Sequence, residues 1–423
     1  MAQYYALLDE DYGDVISAAL VKRNSQVQDE LNVKLKCLEL DAADRGTITK
    51  LSNLVIAGDD AFDFALAMEW GVVSWLQQPE LLIELHEVPN LDLTHSWWNQ
   101  AAMDEYTING KLYNAPGDIC FYALAAPITI FFNKTVAQNA NIGNLYDLVR
   151  DGKWTVDKVM ELCQKVYKDV NGNGQVDVEE DIIGICCEQS TNLHWLLGSN
   201  MRLTEKDKDG NISLVVNNEK TVSLIEKTTK LFQDEKLCCY AQNLEKTYKS
   251  PYTDLFAPKI KADTALFYSN QLLVALDLRD MDSDFGILPT PKWDDKQENY
   301  YSFSNTAWND MLIVPTTNSN LARTGHVAEA MGYYGQQYVR PAFIDSTVLS
   351  RDIRDEDSAE MVDMILSSQV YDLGATFNWG SLTNVLYKPC NNKDASTFAS
   401  NYASLENGIL TAMNKMIDTL KGK

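Results

Sequence analysis

The sequence predicts an α/β fold in which helices flank mixed sheets, and three observations carry that reading. Residues 15–31 place Ile16, Leu20, Val27 and Leu31 near one face, the period of an amphipathic helix. Residues 32–38 then alternate Val33, Leu35 and Cys37, the period of a half-buried strand. The switch recurs at once, with a helical pattern over 47–57 and a buried apolar run over 62–67. Alternation of this kind builds a layer of strands covered by helices. A chain of 423 residues has room for two or three domains, or for one large two-lobed one.

The elements follow in order. Asp14 is positioned to cap the first helix. Residues 98–105 read as a short helix. YTINGKLY (106–113) sets Asn109-Gly110 between alternating apolar residues, the sequence a type I′ hairpin turn requires. The run 123–132 predicts one continuous buried strand. Residues 144–150 read as a short helix, and Thr155 caps a longer one to about Tyr167, with Asp157 in its first turn. Residues 182–186 (IIGIC) are strand-like. LTEKDKDGNISLVV (203–216) predicts a hairpin around Asp209-Gly210, followed by a helix over 221–235. Strands are expected over 264–267 and 284–288, and helices over 320–337, 357–367 and 395–420. No internal repeat, low-complexity tract or long linker appears, so any lobes must share short crossings.

Composition narrows the function. The formal charge is −24, with 60 acidic and 36 basic residues. Such a chain repels phosphate backbones and anionic membrane surfaces, so no nucleic-acid partner is expected. No run approaches the roughly 18 apolar residues that span a bilayer. The opening residues MAQYYALLDEDYGD lack the basic and apolar regions of a signal peptide. Eight cysteines form no CxxC pair, and a chain this long needs no disulfides for stability, so free buried thiols are expected. His86, His95, His194 and His326 are scattered and read as polar surface. There is no HExxH, GxSxG, Walker loop or GxGxxG. Abundant Asp and Glu leave a glycosidase or lyase open, but no pair is singled out.

DVNGNGQVDVEED (169–181) fits a calcium loop. The twelve-residue pattern needs oxygen donors at positions 1, 3, 5, 9 and 12, a carbonyl at 7 and glycine at 6. Asp169, Asn171, Asn173, Asp177 and Glu180 fill the donor positions, Gln175 the carbonyl and Gly174 the turn. The strand-like residues that follow cannot supply the exiting helix of a sensor pair. The expected role of Ca2+ is therefore structural, holding a helix-to-strand crossing rigid. Asn at position 5 lowers the negative charge, and a weak site suits an extracellular fluid with millimolar calcium.

WTVDKVMELCQKVYKDVNGNGQVDVEEDIIG resembles the lobe-crossing helix and calcium loop of extracellular solute-binding proteins of ABC-type sugar importers. LYDLVRDGKW, TINGKLYNAPGD, DFGILPTPKWDD and SAEMVDMILSSQVYDLG are similar to other segments of the same Gram-positive, clostridial-type branch, in the same order. The resemblance covers about residues 12 to 420. It implies a two-lobed, periplasmic-binding-protein-like fold (type II, venus flytrap) similar to maltose-binding protein. The first lobe is then expected over 1–122 and 287–340, and the second over 123–286 and 341–423. Crossings are expected near 121–126, 283–287 and 340–348. The implied protein is a monomer, lipid-anchored outside a Gram-positive membrane, that delivers an oligosaccharide to an ABC permease without turnover. Neither an export signal nor an anchoring cysteine is expected in this chain, and its first sheet strand is expected to be missing or shortened. A sensor ectodomain that presents sugar to a signalling partner shares the same fold.

Sugars present apolar C–H faces between hydroxyls, so a cleft needs aromatic platforms beside amides and carboxylates. The resemblance points to Glu69 and Trp70 after the strand 62–67, and to one of Trp97 and Trp98. Asp118 and Tyr122 flank the first crossing. Ser269 and Asn270 follow the strand 265–268. Trp308, Asn309 and Asp310 interrupt a strand-like segment, and Trp379 follows a turn. Trp195 is a weaker candidate, and Trp154 and Trp293 are expected to be structural.

Overall fold

The computed structural model describes residues 13–38, 46–305, 308–350 and 353–421. Its strands include β1 (Ala65–Met68), β2 (Ile128–Asn133), β3 (Ile183–Cys187), β4 (Thr204–Lys206), β5 (Ile212–Leu214), β6 (Cys238–Tyr240), β7 (Ala265–Gln271), β8 (Phe285–Pro289), β9 (Ser302–Phe303) and β10 (Asp310–Ile313). Five of them form one mixed sheet in the order β6-β3-β7-β2-β8. β3 runs parallel to β6 and β7, while β2 runs antiparallel to β7 and β8. Every residue of β2, β3, β6 and β8 is buried, as expected of strands covered on both faces.

Local signals account for the element boundaries. Helix Val15–Leu31 starts where Asp14 accepts hydrogen bonds from the Ile16 and Ser17 amides. Asn133, Asn144, Thr155 and Asn218 cap four more helices in the same way. At 109–110 the backbone takes positive φ at both residues (53° and 74°), and Ile108 pairs with Lys111.

The other lobe carries a far smaller sheet. β1 pairs antiparallel with β10, with Ala65 opposite Ile313 and Met68 opposite Asp310. Ala115 and Leu82 add single bridges to Leu312 and Pro315. Residues 33–38 do not pair as a strand. They and β1 instead line a cavity of about 700 Å³, closed by Leu51, Phe62, Phe64, Phe121, Val327 and Met331.

Three sequence expectations change. The run 123–132 is not one strand: helix Phe121–Ala125 precedes β2. Alanine and leucine favour the helix, and Pro127, without an N–H, ends it. β7 extends through Gln271, so Ser269 and Asn270 lie inside the sheet opposite Ile130 and Thr129 rather than beyond its end. The boundary expected after Gly286 falls inside β8, which stays paired with β2 through Pro289. The chain therefore leaves the five-stranded sheet after Pro289, not at 283–287.

Candidate functional site

Three segments meet at the junction where helix Phe121–Ala125 runs into β2. The Asn305 amide donates to the Ala126 carbonyl (3.1 Å), and Ser304 bridges Pro127. The Asn305 side-chain amide reaches Gln271 Oε1 at the end of β7 (3.4 Å). Helix Thr191–Gly198 closes a further side, with the His194 ring 5.9 Å from that of Phe303 in β9. Tyr122 lies in helix Phe121–Ala125, immediately before the junction.

This neighbourhood is rich in polar groups that the fold leaves unmatched. Among the described residues, fifteen buried side-chain polar atoms have no hydrogen-bond partner, and ten of them lie on residues 192–199 and 300–310. They include Asn192 Oδ1, His194 Nδ1, Ser302 Oγ, Ser304 Oγ, both polar atoms of Asn309, and Asp310 Oδ1, whose residue lines the 700 Å³ cavity beside Phe121. Ser269 Oγ in β7 is another. Buried polar groups are nearly always satisfied, so a concentration of exceptions marks a place built for water or ligand. Hydroxyl, amide and imidazole groups are the partners a neutral polyol needs. Burial also sets the charges. It pushes the Asp310 carboxyl up to about 8 and the His194 imidazole down to about 3, favouring the neutral form of each.

The remaining sequence candidates fall in different places. Asp118 is fully buried and forms a forked ion pair with Arg340, 2.7 Å from Nη2 and 3.1 Å from Nε. Burial nonetheless raises its carboxyl above the usual range. Trp98 is core, its indole donating to Glu329 (2.8 Å). Trp97 lines a separate cavity of about 410 Å³ and stacks on His95 with centroids 4.2 Å apart. Asn270 donates to the Tyr268 hydroxyl (2.7 Å). Trp308 is half-buried and its amide donates to Asn305 O. Trp379 is buried, stacked on Phe377, with its indole directed at Met416 Sδ (3.3 Å). Trp154 is core, donating to Pro289 O, and Trp293 packs under Lys227. The side chains of Glu69 and Trp70 lie outside the described residues.

Sequence reasoning missed Asn192, His194, Ser302 and Ser304, and His194 is buried rather than polar surface. The available signal was TNLHWLLG, where Asn and His interrupt an otherwise apolar helix.

The loop after helix Val156–Val166 folds around Asp169. Its two carboxylate oxygens accept from the Gly172 and Gly174 amides (2.7 and 2.8 Å). Asn171 Oδ1 accepts from Asn173 N, and Asn173 Oδ1 from Gln175 N. The amide nitrogens of Asn171 and Asn173 both donate to Asp177 Oδ2 (2.7 Å), and Asn171 also reaches Glu180 Oε2 (3.1 Å). Asp177 and Glu180 thus turn inward toward amide donors, and rotating those amides would present oxygen instead. Among the described residues, no three His, Cys, Asp or Glu side chains converge tightly enough to hold a metal by themselves. A cation here would draw on the amide and carbonyl oxygens as well, a donor set suited to a hard ion. Asp181 ties the loop's ends, accepting from Val170 N and Asp177 N (3.0 Å each).

No protein-family model and no curated protein sequence matches the chain. Solved structures do. An ABC substrate-binding protein from Listeria monocytogenes in complex with cycloalternan is 12% identical, with a TM-score of 0.62 over 93% of this chain and 96% of its own. The GacH receptor of Streptomyces glaucescens, solved unliganded and with acarbose, is 14% identical, with a TM-score of 0.62 over 95% and 97%. UgpB from Mycobacterium tuberculosis in complex with glycerophosphocholine is 14% identical, with a TM-score of 0.61 over 95% and 96%. At such identities the likeness is one of fold, and it runs the length of the chain. The chain has the two-lobed, maltose-binding-protein-like α/β fold of the ABC substrate-binding proteins.

Proposed function

We propose that the protein is the extracellular solute-binding component of an ABC importer and captures an oligosaccharide between its lobes without chemical turnover. The observation that carries this reading is the concentration of unpartnered hydroxyl, amide and imidazole groups at the junction between the lobes. Asn192, His194, Ser269, Ser302, Ser304, Asn309 and Asp310 would hydrogen-bond the glycan's hydroxyls, and Trp308 would offer a ring face to its C–H surfaces, while Tyr122 is fully buried against Phe121. Ligand that touches both lobes favours the closed form, which then docks on a membrane permease. Structures of the same fold solved with cycloalternan and acarbose support the oligosaccharide.

The same reading makes 169–180 a structural Ca2+ loop, held by Asp169, Asn171, Asn173, the Gln175 carbonyl, Asp177 and Glu180. Bound there, the ion would fix the helix before the loop to β3. The reading also places the protein as a monomer on the outer, lipid-anchored face of a Gram-positive cell. Isothermal titration against linear and cyclic oligosaccharides tests the function. A saturable heat with one glycan class, weakened at least tenfold in Asn309→Ala and leaving the glycan intact, supports it. Conversion of the glycan to product would make the protein an enzyme.

A further inference from the structure

The cavity of about 410 Å³ beside Trp97 shares no lining residue with the junction groups. Its walls are the end of helix Val15–Leu31, the segment 90–97 and helix Leu321–Tyr334. Aromatic rings run along it. Trp97 meets Tyr333 edge to face at 5.6 Å, and Tyr333 meets Tyr334 at 4.9 Å. The indole of Trp97 lies against Gly332, where a Cβ would come within 2.4 Å of it, so the helix carries no side chain there. Its N–H is buried without a partner, whereas those of Trp98 and Trp154 are satisfied. His95, stacked on the indole, is held by Glu329 (Nδ1 to Oε2, 2.9 Å). Glu329 Oε1 accepts from Asp92 N (3.0 Å), and the Tyr334 hydroxyl donates to Glu30. Tyr333 and His326 stay exposed beside this wall, Tyr333 by 43%.

We propose that this cavity is a second carbohydrate site, which takes a single sugar ring or a disaccharide independently of the junction. Its size falls within the roughly 300–1,000 Å³ of small-molecule pockets. The lining chemistry selects the ligand. Glu30, Asp92 and Glu329 face it and no Lys or Arg does, so an anionic ligand is repelled. A wholly apolar ligand would strip water from those carboxylates and from Asn90 and His326 without replacing it. Among the described residues no three His, Cys, Asp or Glu converge to hold a metal ion. An ammonium ion offers donors only, and the carboxylates already accept from Asp92 N, His95 and Tyr334. Asn90 and His326 present donors as well as acceptors, which hydroxyl groups match and an ammonium does not. The open face of Tyr333 then receives the C–H surface of the sugar ring.

The test is saturation-transfer NMR with glucose, galactose, N-acetylglucosamine, maltose and cellobiose, each at up to about 10 mM, a range that detects millimolar affinity. At least one of these sugars should bind the wild type. Tyr333→Ala should weaken that binding at least about tenfold, the loss of one ring contact. His326→Ala should weaken it less, and Asn309→Ala should leave it unchanged. Tyr333 and His326 are exposed, so either variant decides the matter if the other fails to fold. Loss of binding in Asn309→Ala with none in Tyr333→Ala would place the sugar at the junction alone, overturning this proposal and sparing the function proposed above. No binding of any of the five sugars, or binding of tetramethylammonium in their stead, would overturn it as well.

Discussion

Two sheets of this molecule are built to different standards. In the five-stranded sheet β2 has partners on both sides, and its residues are buried throughout. In the two-stranded sheet β1 has one partner among the described residues and is mostly half-buried. Its flank opens on a cavity of about 700 Å³, with residues 33–38 also in the wall. Strand pairing and two-sided burial reinforce each other, because a covered sheet must satisfy every backbone group internally. The difference locates the stability of the fold in the five-stranded sheet and leaves the region around β1 dependent on its helices.

The largest contrast should appear in amide exchange. Amides of β2 and β7 should exchange at least about 10³-fold more slowly than those of β1, since the five-stranded sheet opens only with the whole fold. Equal protection would erase the distinction. Next comes acid. The unfolded chain protonates His194 near its ordinary pKa, whereas the folded chain resists until about pH 3. Stability should therefore fall as pH drops through that window, by at most about 5 kcal/mol, and urea titrations should show a shallower fall in His194→Gln. Packing follows. Phe131→Ala, in the middle of β2, should cost about 4 kcal/mol, and Leu66→Ala, half-buried in β1, about 1 kcal/mol. Similar losses would mean that the two sheets share the load.

The ion pair between Asp118 and Arg340 binds a buried carboxylate to a partly exposed guanidinium. Arg340→Met should destabilise by about 3 kcal/mol, and Asp118→Asn should recover part of the loss in the double variant. Because burial already raises the Asp118 carboxyl, the loss in Arg340→Met should grow as pH rises through the raised value. Smallest is the loop. If it holds Ca2+, chelation should lower the melting midpoint by a few degrees and leave glycan affinity nearly unchanged, because the loop lies before β3, away from the junction residues.

Features set by neighbours in sequence were legible. Asp14 capping and the Asn109-Gly110 turn each need residues only a few positions apart. Features set by distant partners were not. Whether 123–132 is one strand depends on what Pro127 meets, and how far β7 runs depends on Thr129 and Ile128 opposite it. Nothing local marks Trp98 as core rather than platform, since its indole is satisfied by Glu329, 231 residues away. The junction residues Ser302, Ser304 and His194 acquire meaning only once three segments meet.

The central claim is that the unmatched polar groups at the junction receive a glycan. Thermal melting of the wild type and Asn309→Ala across an oligosaccharide panel tests it most directly. A ligand at about 1,000 times its Kd should add about 4 kcal/mol to the wild type. The account predicts an upward shift with one glycan class, the glycan recovered intact, and a reduced shift in Asn309→Ala. No shift with any glycan, or an identical shift in the variant, would contradict it.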